Sequence, residues 1–219
     1  MSSLAIYCAD IGSVAKGNFG WARLNCTETP TCIVGQDIRD FADNIADDLN
    51  SSRPVALGFE CPLFIPISDE PEFLTSARGG EGNRAWSAGA GAWSLVTGLS
   101  ETVWILTRIQ RKILADIPIH IRWSPFQRSK IGLFLWEAFV SGDFKAGTHI
   151  GDAELAVNQF YEYLRDPEAH NAIKSSNVRS LIGAALLQSG LADDLSLLSK
   201  PCLVIRVSEQ INCIPRRNV

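Results

Sequence analysis

Acidic residues stand at the ends of short apolar segments in this sequence. Asp10 follows the apolar residues 4–9, and Gly12 and Ser13 come shortly after it. Such a segment is too short for a helix, and its Ile, Tyr and Cys residues favour a buried strand. A carboxylate at the end of a buried strand needs a cation, a hydrogen-bond donor or a proton to tolerate burial. We therefore expect Asp10 to bind a divalent metal ion.

Glu60 repeats this pattern. It follows the apolar residues 54–59, and Pro62 must end the segment because proline cannot donate to a sheet ladder. Between the two segments, Asp37 opens a stretch with apolar residues at helical spacing, and a helix between two strands is a crossover. We expect the two strands to be parallel neighbours, with Asp10 beside Glu60. Two buried like charges repel each other, so one carboxylate must gain a proton unless a cation lies between them.

Two further acids lie at comparable positions. Glu137 belongs to the apolar residues 131–140, which are typical of a buried strand and are followed by Ser141 and Gly142. Asp152 lies near the start of a predicted helix, where a negative charge is favourable. The candidate catalytic residues and metal ligands are therefore Asp10, Glu60, Glu137 and Asp152.

A long glycine-rich segment, residues 64–91, follows the Glu60 strand. Segments of this length inside a compact domain are usually functional or mobile. Its backbone N–H groups could surround a phosphate, with Arg78 and Arg84 adding positive charge, and a flexible surface loop is the alternative. The candidate substrate-binding residues are these two arginines and Trp86. Neither glycine run leads into Gly-Lys-Ser/Thr, so the sequence pattern of a P-loop is absent.

Length and composition favour one globular domain. The chain has 219 residues and is 46% hydrophobic, and we expect residues 1–219 to form a single domain with the glycine-rich segment as an insertion. No apolar run approaches the roughly 20 residues of a membrane-spanning helix, and the N-terminus does not resemble a secretory signal. The six cysteines form no C-x-x-C pair, which favours reduced thiols in a cytoplasmic protein.

Charge is distributed unevenly along the chain. The formal net charge of −4 argues against tight general binding to nucleic acid, yet residues 76–130 carry 8 basic and 3 acidic residues. The same region holds four tryptophans: Trp86, Trp93, Trp104 and Trp123. Cations mixed with aromatic side chains suit a phosphate backbone and stacked bases. Core tryptophans beside a solvated basic face are the alternative explanation.

The predicted order of elements is three strands, a helix, a strand, a helix, a strand and then helices. The second helix is expected over residues 92–114, the last helix over residues 176–190, and a final strand over residues 202–207. This order, together with the positions of the acids, resembles the ribonuclease H-like superfamily. Within it, the chain is most similar to the uncharacterised predicted-nuclease branch, and it is more distantly similar to the Holliday-junction resolvases.

The residues that carry the resemblance are Asp10 in CADIGS, Glu60 in GFECP, Glu137 in LWEAFVSG and Asp152 in HIGDAELA. The resemblance covers nearly the whole chain through the order of its elements. It implies an α/β fold in which a mixed sheet has three antiparallel strands and then parallel strands, with helices on both faces.

The resemblance also implies a nuclease that hydrolyses phosphodiester bonds with two Mg²⁺ or Mn²⁺ ions. Asp10 would bridge the ions, Glu60 and Asp152 would each hold one, and Glu137 would complete the site. His149 is either a proton relay or a structural residue at a helix start. Nucleic acid, DNA or RNA, is the expected partner, no membrane is expected, and a homodimer is left open.

The sequence departs from the family pattern at one place. Some relatives carry the last acid on the final helix, where this chain has Asn177 and Ser180. If that alignment holds, Asp152 is only a helix cap and the fourth metal ligand is missing. A non-catalytic scaffold that binds nucleic acid or protein is then the alternative function. A third hypothesis is a fragment of an actin-like ATP-binding phosphotransferase, because residues 10–13 followed by Gly17 also resemble the first phosphate loop of that fold. That fold needs two lobes to enclose ATP, and a chain of 219 residues is short for both.

Overall fold

The computed structural model describes residues 3–82, 85–208, 211 and 213–216. The strands in these ranges are β1 (Ala5–Asp10), β2 (Gly20–Asn25), β3 (Thr31–Gly35), β4 (Val55–Glu60), β5 (Phe64–Pro66), β6 (Ile119–His120), β7 (Leu133–Phe139), β8 (Val178–Ser180) and β9 (Leu203–Arg206). The α-helices are α1 (Ile38–Asn50), α2 (Gly89–Lys112), α3 (Trp123–Ser129), α4 (His149–Glu162) and α5 (Leu181–Ser189). None of the helices in the described ranges combines the length and the apolarity needed to cross a membrane.

One mixed sheet organises these elements. Its strands follow the order β3-β2-β1-β4-β7-β6, and β9 also pairs with β7. The pairs β1–β2 and β2–β3 are antiparallel, whereas β4, β7, β6 and β9 continue the sheet in parallel. The predicted α/β architecture, with an antiparallel part followed by a parallel part, is confirmed.

Helix α1 explains why β1 and β4 are parallel neighbours. Asp37 caps the helix, since its carboxylate accepts a hydrogen bond from the Arg39 backbone N–H at 2.6 Å. Phe41 and Ile45 lie on the same face of the helix and are fully buried against the sheet. The helix returns the chain to the start of β4, which places the carboxyl ends of β1 and β4 at the same edge.

Apolar side chains cover both faces of the sheet because residues in a strand alternate between faces. On one face, Ala5, Tyr7 and Ala9 of β1 pack in a cluster with α1, α2 and α5. On the other face, Ile6 and Cys8 pack in a second cluster with α3 and α4. The helices therefore lie on both faces, as expected.

The C-terminal helix is shorter than the sequence suggested. We expected a helix over residues 176–190, but residues 178–180 form β8, which pairs with β5 in a separate two-stranded sheet. The Ser180 hydroxyl accepts a hydrogen bond from the Gly183 N–H at 3.1 Å and so caps α5. The Asn177 amide donates to the Ile67 carbonyl at 3.4 Å. Strand pairing with a distant segment therefore overrides the local helical pattern at the start of this stretch.

Candidate active site

Asp10 and Glu60 face each other at the carboxyl edge of the sheet. They are paired in the register between β1 and β4, each as the last residue of its strand. Asp10 is buried, and Glu60 is partly buried. The structure therefore brings these two predicted site residues together through backbone pairing, which fixes their separation.

The two carboxyl groups share a hydrogen bond, and they differ in how readily each keeps a proton. Burial raises the pKa of Glu60 well above its usual value, and the charge of Asp10 and the hydrogen bond to it raise that pKa further. Burial also raises the pKa of Asp10, while His149 and the hydrogen bond from Glu60 oppose this rise. Glu60 therefore keeps a proton more readily, and Asp10 is the carboxylate of the pair.

His149, the first residue of α4, contacts Asp10. The distance from His149 Nδ1 to Asp10 Oδ2 is 2.7 Å. The start of α4 can approach β2 closely because position 20 is a glycine: a Cβ there would overlap the backbone of Ile150. The His149 side chain is 38% exposed, so the imidazole reaches both the buried carboxylate and solvent.

Asp152 lies in the first turn of α4, but the cap of this helix is Thr148. The Thr148 hydroxyl accepts a hydrogen bond from the Gly151 N–H at 3.1 Å. The Asp152 carboxylate instead accepts from the Ala146 N–H at 2.6 Å and from Lys145 Nζ at 2.9 Å. Although burial opposes it, attraction to Glu60, Asp152 and Asp10 raises the pKa of Lys145. The Lys145 ammonium therefore offsets negative charge in a group of three acids, which we call the acid cluster: Asp10, Glu60 and Asp152.

Glu137 has a different partner from the one that we expected. Arg78 binds it with two hydrogen bonds, of 2.6 Å to Oε1 and 2.8 Å to Oε2, and the Leu63 N–H adds a third at 2.9 Å. The same guanidinium bonds Glu81 at 2.7 Å. Glu137 is 1% exposed and Arg78 is 4% exposed. A guanidinium thus holds the carboxylate that was predicted to complete the metal site.

This pairing also changes the interpretation of the glycine-rich segment. Arg78 was expected to bind phosphate, but its guanidinium is occupied by two buried carboxylates. Arg84, the second predicted phosphate-binding residue, lies outside the described residues. Trp86 is held in place by two hydrogen bonds, from its backbone N–H to Glu81 at 3.2 Å and from its indole Nε1–H to the Ser76 carbonyl at 2.9 Å. The segment is therefore anchored to the sheet through Arg78.

A pocket opens beside the acid cluster. It has a volume of about 390 Å³, and Asp10, Glu60, Lys145 and His149 line one part of it. The glycine-rich start of α2, Trp86 and Trp93 also line it. Pockets of this size at the carboxyl edge of an α/β sheet are common ligand sites. We call it the edge pocket.

Glu101 on α2 is a candidate that the sequence analysis missed. Its Oε2 atom is buried and has no hydrogen-bond partner within the described part of the chain. Burial raises the pKa of Glu101 to about 7, while a hydrogen bond from Gly12 opposes the rise and the charge of Asp10 adds to it. The available signal was spacing, because Glu101 falls at helical intervals from the buried residues Gly98 and Ile105.

We predict that Glu101→Gln alters the pH dependence of stability. The folded protein holds the Glu101 proton up to a pH of about 7, whereas the unfolded chain releases it near 4.5. This proton stabilises the fold at low pH, and the contribution is lost as the pH rises through that interval. The glutamine variant should therefore gain stability relative to wild type between about pH 4.5 and 7 and keep a constant difference above it.

Urea denaturation of both proteins across this pH range measures that difference. A free-energy difference that does not change with pH would contradict the assignment of a raised pKa to Glu101.

The acid cluster offers the type of donor atom that a hard divalent cation takes. Carboxylate oxygens are the ligands that Mg²⁺ and Mn²⁺ prefer. Among residues 3–82, 85–208, 211 and 213–216, no three His, Cys, Asp or Glu side chains are already arranged as a metal-binding group. The Lys145 ammonium and the Glu60 proton neutralise the acids instead. A metal ion would therefore have to displace these two positive charges, and Glu137 would not take part while Arg78 holds it.

Comparisons with known proteins identify no relative of this chain. No protein-family model matches the chain, and no match is found among curated proteins or among solved structures.

Proposed function

We propose that this protein is a Mg²⁺- or Mn²⁺-dependent nuclease that hydrolyses phosphodiester bonds of nucleic acid. One observation carries the proposal. Two carboxyl groups from adjacent parallel strands meet at the edge of the sheet, with raised pKa values, beside a pocket of about 390 Å³. Raised carboxyl pKa values in a pocket are typical of functional sites, because stability alone favours pairing such acids with bases.

The acid cluster would hold the metal, with Asp10 central because it lies between Glu60 and His149. A metal ion in this position would activate a water molecule and stabilise the leaving oxygen. His149 is suited to pass a proton between the edge pocket and solvent, since its ring reaches Asp10 and is also exposed. Lys145, once released from Asp152, would place an ammonium near a substrate phosphate.

The order of elements supports a ribonuclease H-like fold within this proposal. Three antiparallel strands precede the crossover helix α1, and the parallel strands β4 and β7 follow. The two acids at the ends of β1 and β4 occupy the positions that the family resemblance implies for metal ligands. We therefore propose nucleic acid as the substrate class.

A non-catalytic scaffold is the second candidate, and the contacts of the acids favour it. Glu137 is neutralised by Arg78, Asp152 is paired with Lys145, and Asp10 contacts His149. A protein that never binds metal would also need such partners for its buried carboxylates. The two functions differ in their response to divalent ions, which the following experiments measure.

Cleavage assays test the nuclease proposal directly. Purified protein is incubated with Mg²⁺ or Mn²⁺ and with single strands, duplexes, RNA–DNA hybrids and four-way junctions. Cleavage of at least one substrate, abolished by a chelator, is the expected result. If every substrate remains intact with both ions at several protein concentrations, the nuclease proposal is rejected and the scaffold is favoured.

Thermal unfolding with and without Mn²⁺ gives a second test. We predict that a saturating concentration, about 100 times Kd, stabilises the folded protein by about 2.7 kcal/mol. For a chain of this size, that corresponds to a rise in Tm of roughly 5–10 °C. The rise should be larger at higher pH, because metal binding must displace the Glu60 proton. A Tm that Mn²⁺ does not change at any pH would support the scaffold.

A further inference from the structure

Two tryptophans line the edge pocket together with Asp10 and Glu60 of the acid cluster. Trp86 belongs to the glycine-rich segment, and Trp93 lies in the first turns of α2. Trp93 is 65% exposed, although burial of a tryptophan side chain is strongly favourable in water. An exposed tryptophan at the mouth of a pocket therefore suggests an aromatic or apolar ligand group.

The structure positions Trp86 through a chain of contacts from the sheet. Glu137 on β7 binds Arg78, Arg78 binds Glu81, and Glu81 accepts a hydrogen bond from the Trp86 backbone N–H. Each of the three charged residues is at most 4% exposed. The buried ion pairs thus fix one wall of the pocket relative to β7, the strand next to the one that carries Glu60.

The start of α2 allows the segment that carries Trp86 to pack closely against this helix. A Cβ at Gly91 would overlap the carbonyl oxygen of Ala85, so the segment before Trp86 can lie directly against the helix only because position 91 is a glycine. Gly89 and Ala90 also line the pocket with little side-chain volume. These small residues leave volume for a ligand in the pocket.

We propose that the edge pocket accepts the base of an unpaired nucleotide, stacked on Trp93 and Trp86, while the adjoining phosphate lies at the acid cluster. This inference rests on the proposed nuclease function and names its substrate class. A base inside a duplex is covered on both faces by its neighbours and cannot enter such a pocket. The substrate is thus single-stranded or locally unpaired, and tryptophan stacking supplies binding that does not depend on sequence.

Binding measured separately from turnover distinguishes this inference from the cleavage reaction. The anisotropy of a labelled single-stranded oligonucleotide, and of the same strand in a perfect duplex, is followed with Ca²⁺ and again with a chelator, because without a cation the carboxylates of the acid cluster repel a phosphate. We expect wild-type protein to bind the single strand more tightly than the duplex. Trp93→Ala should weaken single-strand binding by about 5- to 150-fold, the range for loss of one stacked base.

Trp104→Ala is the matched control. Trp104 lies on the same helix and is 41% exposed, but it is not part of the edge pocket. This variant should bind the single strand as wild type does, and Trp93→Phe should retain most of the affinity because it keeps an aromatic face. Circular dichroism establishes that each variant is folded.

The inference is overturned if wild type binds neither nucleic acid, if the duplex binds as tightly as the single strand, or if Trp93→Ala behaves as Trp104→Ala does. The last result would point to Trp93 as a contact for another protein. Weakened binding by Trp93→Ala without cleavage in any metal would support the pocket assignment and reject the nuclease. If Trp93→Ala changes neither cleavage nor binding, the pocket assignment is rejected and the nuclease proposal is retained.

Discussion

Replacing Asp10 with asparagine is expected to lower Mn²⁺-dependent cleavage by about 10³-fold, or about 4 kcal/mol of transition-state stabilisation. Asparagine has nearly the same shape but lacks the charge that would attract the metal ion. The fold should persist, because the amide can still hydrogen-bond Glu60 or His149 at the end of β1. At pH 8 the variant should be at least as stable as wild type, since it removes one charge from a buried cluster.

The control for this substitution is Asp69→Asn. Asp69 is an exposed carboxylate in the glycine-rich segment, and its replacement makes the same change in net charge. It should leave cleavage and the Mn²⁺-induced rise in Tm unchanged, whereas Asp10→Asn should abolish that rise. Equal cleavage rates for wild type and Asp10→Asn would place the chemistry elsewhere.

Arg78→Ala is expected to have the largest effect on stability. The substitution would leave Glu137 and Glu81 buried without a counter-charge, since both carboxylates bind the Arg78 guanidinium. Removal of one partner from a buried ion pair costs about 3–5 kcal/mol. That is a large fraction of the 5–15 kcal/mol that typically separates folded from unfolded protein. Urea denaturation at neutral pH measures the loss.

Arg108→Ala provides the comparison. Arg108 also binds a carboxylate with two hydrogen bonds, to Asp43 at 2.6 and 2.9 Å, but this pair is partly exposed. Such pairs contribute much less to stability, because water and salt screen their charges. If Arg78→Ala lowers the free energy of unfolding no more than Arg108→Ala does, the Arg78 guanidinium is not essential for burying Glu137. Glu137 would then again be a candidate metal ligand.

Local sequence patterns predicted the part of the site that the backbone fixes. The apolar segments before Asp10 and Glu60 marked two strands, and the Asp37-capped helix between them required a parallel crossover. Pairing then placed the two acids opposite each other. The ribonuclease H-like assignment and the metal ion stay predictions. The strand order and the paired acids are compatible with both, but they do not determine a reaction.

The remaining contacts depend on residues that are distant in sequence. Arg78 and Glu137 are 59 residues apart, and no local pattern indicates that a guanidinium from a glycine-rich segment will enter the core. Glu101 was missed because an acid within a long helix usually faces solvent, whereas this one lies beside Gly12. The predicted start of the last helix was wrong because pairing with β5 turns residues 178–180 into a strand.

Crystals grown with Mn²⁺ would test the central claim most directly, since the anomalous signal of manganese locates the ion without reference to activity. The proposed metal site requires an anomalous peak bounded by Asp10, Glu60 and Asp152, with the Lys145 ammonium withdrawn from Asp152. No peak at this position under saturating Mn²⁺, with Lys145 still bound to Asp152, would contradict it.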